Sequence, residues 1–509
     1  MPPNPDSPNA SRIEGFAALR MSVFQKLKPD SAIPLYQQLY EHLRIAILAG
    51  QLKQGTKLPS SRALADELGV SRNTILSAYD QLTAEGYLQS IEGKGTFVAH
   101  SLPETVLTAS PRRTGTQARP RTHRLSERAE ALLATPPMPH PSNEARRVRA
   151  FRSGLPALDA FPYERWAKLV SRHAHRLQPD HMTYQDRAGY RPLREAIANY
   201  VNVARQVHCT ADQVVIVSGS QGALHLAARV LLNSSDQAWV EDPGYLGART
   251  ALVAAGARLV PVPVDEEGLR VDVGIACAPD ARIAYVTPSH QFPIGMTMSL
   301  KRRLALLEWA KQADAYILED DYDGEYRFDG RPLASLQGLD DHDSALYIGT
   351  FSKVLFPALR LGYIIVPTPL LDAFLAMRHS MDVNLPILEQ AALAEFISEG
   401  HFTRHIRRMR MLYAERRAAL LQAIQNLPLE LYAPPTGMHL IGWLPDGVDD
   451  RAVARKAAEH QIRVMPLSLF AMEPLARGGL IIGYAAVNQE EIAVGVQRLG
   501  KALDAVYRA

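Results

Sequence analysis

Gly349-Thr350-Phe351-Ser352-Lys353 closes an apolar β-type run at 345–348, and Arg360 follows seven residues after the lysine. A lysine in a small-residue turn at the carboxyl end of a strand stands where open α/β sheets bind their ligands. Further runs of the same texture occupy 213–217, 238–240, 283–286, 316–318 and 363–366, alternating with helical stretches from about Phe151. The pattern indicates an α/β body built on a large central sheet. From about Leu385 a smaller C-terminal α/β part begins with a long basic helical stretch near 395–424.

The residues around that lysine have a common chemistry. Asp320, 33 positions upstream, follows the run 316–318 and offers a carboxylate to a ring nitrogen. Tyr322 can donate to a phenolic oxygen, and Tyr245 can stack on a ring. Ser220 and Gln221 lie in Ser218-Gly219-Ser220-Gln221-Gly222 at the start of a helix, where free N–H groups favour a phosphate. Ser352 and Arg360 complete the phosphate cup. Each residue alone has an ordinary explanation: a solvated lysine, a capping aspartate, a Gly-Ser turn. Together they supply a Schiff-base amine, a pyridinium partner, a stacking face and phosphate donors, the requirements of pyridoxal 5'-phosphate (PLP).

The other end of the chain reads differently. Leu35, Leu39, Leu43 and Ile47 recur every four residues in a helix ending at Gly50. Ser60 or Ser61 caps a second helix closed by Gly69, and Ser71 caps a third, with Ile75, Ala78, Tyr79 and Leu82 on one stripe. Two β-type runs, 87–91 and 96–98, flank Glu92-Gly93-Lys94-Gly95. Three helices and a glycine-tipped hairpin make a winged helix-turn-helix, of α+β class. Its recognition helix starts at Ser71 and presents Arg72, Asn73 and Thr74 to base edges; Arg62 and Lys94 are placed for phosphate or groove contacts.

The bulk numbers fit two such parts. The 509 residues divide into a flexible lead-in (1–30), the winged helix (31–99), a connector (100–149) and the α/β body (150–509). Charge is nearly balanced, 56 Lys+Arg against 53 Asp+Glu, so any grip on nucleic acid is local. The connector region 101–150 is the basic part, with nine Arg against four Glu. A short helix is expected near 16–27 and another near 125–133. Two cysteines, Cys209 and Cys277, exclude a disulfide framework. The polar N-terminus lacks a signal-peptide core, and the apolar run 363–366 is too short to span a membrane. A soluble cytoplasmic protein is expected.

Leu58-Pro59-Ser60-Ser61-Arg62-Ala63-Leu64-Ala65-Asp66-Glu67-Leu68-Gly69-Val70-Ser71-Arg72-Asn73-Thr74, with the wing Gly93-Lys94-Gly95-Thr96-Phe97, resembles the GntR family of bacterial regulators over 34–98. The body, about 150–505, resembles class I aminotransferases of fold type I. The resemblance rests on Gly349 to Lys353 with Arg360, on Asp320, and on Glu241-Asp242-Pro243-Gly244-Tyr245. It also rests on Tyr184 before Ala188-Gly189, matching a tyrosine that reaches the phosphate of the partner subunit's PLP. The whole order resembles the MocR family of regulators. The resemblance implies a homodimer, a double-stranded DNA operator, and an effector that is PLP itself, an amine or an amino acid. The alternative is an active aminotransferase with an accessory DNA-binding head.

Two positions depart from the aminotransferase pattern. Phe292-Pro293-Ile294-Gly295 stands for Asn-Pro-Thr-Gly, so the asparagine that bonds the ring oxygen is absent; His290 or Gln291 is expected to substitute. Leu480-Ile481-Ile482-Gly483-Tyr484 has Ile481 where an arginine clamps the substrate carboxylate, with Arg477 nearby. An apolar side chain has no equivalent of a bidentate guanidinium, so efficient transamination of ordinary α-amino acids is not expected.

Overall fold

The computed structural model describes residues 27, 31, 33–101, 125–136, 149–330 and 334–508. The chain forms two compact units, Met1–His123 and Arg124–Ala509. The helix expected near 16–27, apart from Leu27, and most of the basic connector lie outside the described residues.

In the first unit, helices α1 (Leu35–Leu48), α2 (Ser61–Leu68) and α3 (Arg72–Ala84) precede strands β1 (Leu88–Ile91) and β2 (Gly95–Val98). The caps are local. Ser60, of the two serines considered, accepts from the Ala63 N–H, Gly69 closes α2 in the left-handed conformation, and Ser71 accepts from the Thr74 N–H. Leu39, Leu43, Leu64, Ile75, Ala78, Leu82 and Val98 fill one core. The two strands pair antiparallel from Leu88↔Val98 to Ile91↔Gly95, forming the wing.

The second unit is built on β3 (Val214–Val217), β4 (Gln237–Asp242), β5 (Arg258–Asp265), β6 (Gly268–Leu269), β7 (Ile283–Val286), β8 (Tyr316–Asp321), β9 (Ala345–Thr350) and β10 (Gly362–Ile365). They lie in the order β3-β10-β9-β8-β7-β4-β5-β6. β4, β5, β7, β8 and β9 run parallel, whereas β10 is antiparallel to both of its neighbours. Alternate residues feed opposite faces. Val215, Val217, Leu318 and Ile348 join one core, and Val214, Ile216, Tyr347 and Tyr363 join another. With both faces covered, the strands read as unbroken apolar runs.

A second, antiparallel sheet of β11 (Glu430–Tyr432), β12 (His439–Trp443), β13 (Met465–Pro466) and β14 (Gly479–Gly483) has the order β11-β12-β14-β13. The sequence starts the smaller part near 385. In the structure, the helix Ile387–Ser398 packs on the helices Tyr163–His175 and Arg191–Arg205 of the larger part. Phe151, at the start of the body, instead pairs with Gly483 of the small sheet. The helix expected near 125–133 spans Glu127–Ala134; Arg128 donates to the Ser234 hydroxyl at 3.2 Å.

Candidate functional site

The carboxyl ends of β4, β7, β8 and β9 converge on one cavity, with about 640 Å³ of space partly open to solvent. β8 ends in two adjacent carboxylates with different fates. Asp321 does not line the cavity; its Oδ2 accepts from Arg205 Nε and from the Tyr347 hydroxyl, each at 2.6 Å, while its Oδ1 has no hydrogen-bond partner among the described residues. Asp320 lines the cavity and is 3% exposed. Its Oδ2 accepts from the Tyr285 hydroxyl at 2.9 Å, while Oδ1 has no hydrogen-bond partner among the described residues. Burial pushes the Asp320 pKa up to about 7, against the lowering effect of the Tyr285 bond.

Lys353 enters the same cavity from the turn after β9, and its Nζ donates to the Gly154 carbonyl at 2.8 Å. Burial lowers the amine's pKa, opposed by the charges of Asp323 and Asp320. A lysine kept from holding its proton is a better nucleophile. Opposite it, the unpartnered Asp320 oxygen is a buried acceptor that lacks a donor. An amine and an orphan carboxylate facing one cavity fit PLP, whose carbonyl and protonated ring nitrogen satisfy one each.

The other predicted residues divide. Tyr245, Tyr322 and Ser220 line the cavity; Gln221, Ser352 and Arg360 do not. The Gln221 amide donates instead to the Gly247 carbonyl at 2.9 Å. Ser218 precedes the helix Gly219–Leu231 without a side-chain cap, leaving first-turn N–H groups for an anion. Arg360 adopts the left-handed conformation and binds the Ser218 carbonyl at 2.9 Å, which holds its guanidinium beside that helix start. Tyr184 is 86% exposed and takes no part in the cavity of its own chain. Sequence reasoning missed Ser153, Gly154, Tyr285, Asp323 and His439, all cavity residues. Only Asp323 carried a signal, as part of the acidic run after β8.

The two departures have structural sequels. Phe292 lines the cavity with its ring edge-on to Tyr245, centroids 5.8 Å apart. Gln291 does not replace the asparagine, because its amide is spent on the Pro243 and Phe292 carbonyls at 2.9 and 2.7 Å. His290 does not line the cavity either; it lies behind Tyr322. Ile481 is fully buried in an apolar cluster with Leu246, Ile441, Leu467 and Phe470. Arg477 cannot serve in its place, being tied to the Leu444 carbonyl and to Glu430.

In the first unit, Arg62, Ser71, Arg72, Asn73 and Lys94 are exposed, and Thr74 is half-buried. They lie at the starts of α2 and α3 and at the wing tip. Arg72 Nε donates to the Ser61 hydroxyl at 3.3 Å, and Lys57, which the sequence did not single out, lies over the Phe97 ring of the wing.

Residues 151–499 match the family model described as aminotransferase class I and II, and residues 35–98 match that of bacterial regulatory proteins, gntR family. The chain is 41% identical over 481 residues to the probable rhizopine catabolism regulatory protein MocR of Rhizobium meliloti, covering 94% of this chain and 95% of the relative. It is 30% identical to the HTH-type pyridoxine biosynthesis transcriptional regulator PdxR of Corynebacterium glutamicum, covering 92% and 95% respectively. The structure of Pyrococcus horikoshii kynurenine aminotransferase in complex with PMP superposes with a TM-score of 0.66 at 27% identity, covering 76% of this chain and 96% of that one.

Proposed function

This chain belongs to the MocR family, a GntR-type winged helix joined to an aminotransferase-like body, and from that premise we propose that it is a transcriptional regulator whose body uses PLP at Lys353 to sense an amine or amino acid, or PLP itself. The observation that carries the reading is that Lys353 and Asp320, whose Oδ1 has no partner among the described residues, line one cavity. Bound there, PLP supplies an aldehyde and an electron-withdrawing ring.

The chain's own residues do the rest. Lys353, its proton affinity lowered by burial, offers the amine. Asp320 would accept a hydrogen bond from the ring nitrogen and keep it protonated, and Tyr285 orients that carboxylate. Tyr245 and Phe292 exclude water from the ring's face. The helix start at Gly219, with Arg360, receives the phosphate. A homodimer accounts for the exposure of Tyr184, which reaches a cavity only in a partner subunit. Two winged helices then engage a paired operator in double-stranded DNA, and bivalency raises affinity. Arg72 and Asn73 read bases, with Arg62 and Lys94 on the backbone. The protein's target, DNA, places its action in the cytoplasm; among the described residues no helix is long and apolar enough to cross a membrane.

The alternative of a working α-amino acid aminotransferase is disfavoured by Ile481, whose place is closed by an apolar cluster. The test is the visible absorption of purified protein with added PLP, beside Lys353→Ala. A band in the wild type that the variant lacks supports the reading, and operator binding is then compared with and without PLP and amines. No band in either overturns it.

A further inference from the structure

With Phe292 in place of the asparagine, the ring-oxygen side of the cavity is served by the Tyr322 hydroxyl, and what lies behind that hydroxyl decides where its proton points. Tyr322 Oη is 2.9 Å from His290 Nδ1. The same nitrogen is 3.0 and 3.1 Å from the two oxygens of Asp323. His290 and Asp323 are each 1% exposed. A carboxylate only accepts, so it holds the proton on Nδ1. Tyr322 therefore cannot donate to that nitrogen; at most it accepts from it. Its own proton is left for the cavity.

The far side of the ring agrees. His290 Nε2 has no hydrogen-bond partner among the described residues. An orphan acceptor is better tolerated in a protein interior than an orphan N–H, so Nδ1 rather than Nε2 is the nitrogen that carries the proton. Turning the ring over would set a carbon in place of Nδ1 against Asp323 and Tyr322 and give up those contacts. A Cβ at Gly437 would lie 2.0 Å from His290 Cε1, and Gly437 has φ +88°, so glycine there admits the ring and backs it. From β12, His439 packs at 4.9 Å between ring centroids, but its Nε2 faces the Pro293 carbonyl at 2.8 Å rather than His290. Burial lowers the His439 pKa to about 3, so it brings no charge. The charged groups that bear on the pair are Lys353 and Asp320, which line the same cavity, and the buried Glu325.

We infer that His290 and Asp323 are positioning residues that fix the Tyr322 hydroxyl as a hydrogen-bond donor toward the ring oxygen of the cofactor, in place of the missing asparagine. The role rests on the reading that Lys353 holds PLP. It is supplied from behind the tyrosine, by a carboxylate acting through an imidazole that touches no ligand.

Asp323→Asn tests it with little change of shape. Asn no longer obliges Nδ1 to carry the proton, so the tautomer with the proton on Nε2 becomes available, in which Nδ1 accepts the Tyr322 proton and withdraws it from the cavity. The reading is the pH midpoint of the visible band of the PLP-loaded, full-length protein. Without a donor, the ring oxygen keeps more negative charge beside the lysine nitrogen, which then holds its proton more tightly. Tyr322→Phe is expected to raise the midpoint by about one unit, tenfold in proton affinity. Asp323→Asn also removes a negative charge that favours the protonated lysine nitrogen, so it is read in both backgrounds: beside Tyr322→Phe it lowers the midpoint through that charge alone, and with Tyr322 present the lost donor offsets the lowering. Equal shifts from Asp323→Asn in the two backgrounds overturn the role. The tautomer is also read in the wild type: ¹⁵N shifts of His290 are expected to show Nδ1 protonated, and Nε2 protonation overturns the role without any variant. A wild-type protein with no visible band removes the cofactor and this role together, whereas the other adverse outcomes remove the role alone.

Discussion

Lys353 Nζ and the Gly154 carbonyl, 199 residues apart in sequence, meet at 2.8 Å, so the amine that marks the site is aimed by the opening segment of the body. Gly154 has φ +72°, and a Cβ there would stand 2.8 Å from the same nitrogen. Gly154→Ala both strains the backbone and crowds the amine. We expect apparent PLP affinity to fall about tenfold or more, about 1.4 kcal/mol, in an absorbance titration. Unchanged affinity would show that the contact does not aim the lysine.

Asp320 is a buried acid whose pKa rises to about 7 in the folded protein, far above its usual range. The sign follows from proton uptake. Between the unfolded value near 4 and the folded value near 7 the native state binds more protons, so this group's contribution to stability falls as pH rises through that window. Asp320→Asn removes the buried charge. The cofactor-free variant is expected to exceed the wild type at pH 7.5 by roughly 2 kcal/mol, with the gap closing toward pH 4.5. Its affinity for PLP should drop. Denaturant unfolding at two pH values checks the first claim, and a gap independent of pH would refute it.

Restoring an arginine at 481 is not expected to create a carboxylate clamp. Ile481 is fully buried, paired in β14 with Ile441 and Met465 and packed on Leu246, Leu467 and Phe470. Ile481→Arg places a guanidinium among apolar side chains without a partner, a cost of about 3 kcal/mol or more. Lower thermal stability and no gain in reactivity with α-amino acids are expected. A stable variant that turns over α-amino acids would contradict this packing argument.

In the winged helix, stability and recognition are separable at neighbouring positions. Ser71 caps α3 through the Thr74 N–H at 3.1 Å, so Ser71→Ala should cost about 1 kcal/mol of that unit's stability. Arg72 is exposed and, among the described residues, hydrogen-bonds only the Ser61 hydroxyl, so Arg72→Ala should leave the melting temperature unchanged. Its loss should appear as weaker binding to operator fragments selected with the wild type, by about 1–3 kcal/mol if it reads a base. Equal loss on non-operator DNA would make Arg72 a phosphate contact instead.

What the sequence made legible was local or ordered along the chain. Caps at Ser60 and Ser71 act within three residues, and Asp320 and Lys353 each close an apolar strand, so their positions follow from counting. β5 was not read because Pro261 and Pro263 interrupt its run; the strand tolerates them beside the sheet edge, where only two-residue β6 lies beyond. Gln221 had the right residue type for a phosphate, but its amide turned to Gly247, a contact 26 residues away. Gly154 and His439 come to the cavity from segments remote from Lys353, and nothing in their neighbourhoods announces a ligand. The His290 environment was hidden for the same reason, since Gly437 meets its ring only after the small sheet forms.

The pairing of Phe151 with Gly483 fixes the opening of the body beside its cavity. The Gly483 N–H binds the Phe151 carbonyl at 3.0 Å and the Arg463 N–H binds the Ala150 carbonyl at 3.0 Å, while Ser153 and Gly154 already wall the cavity. The stretch from Arg149 to Gly154 thus runs without a helix from its ties to Arg463 and Gly483 into the cavity wall. The carbonyl that receives the lysine nitrogen and the bonds that anchor this segment to the smaller part of the body share six residues of backbone.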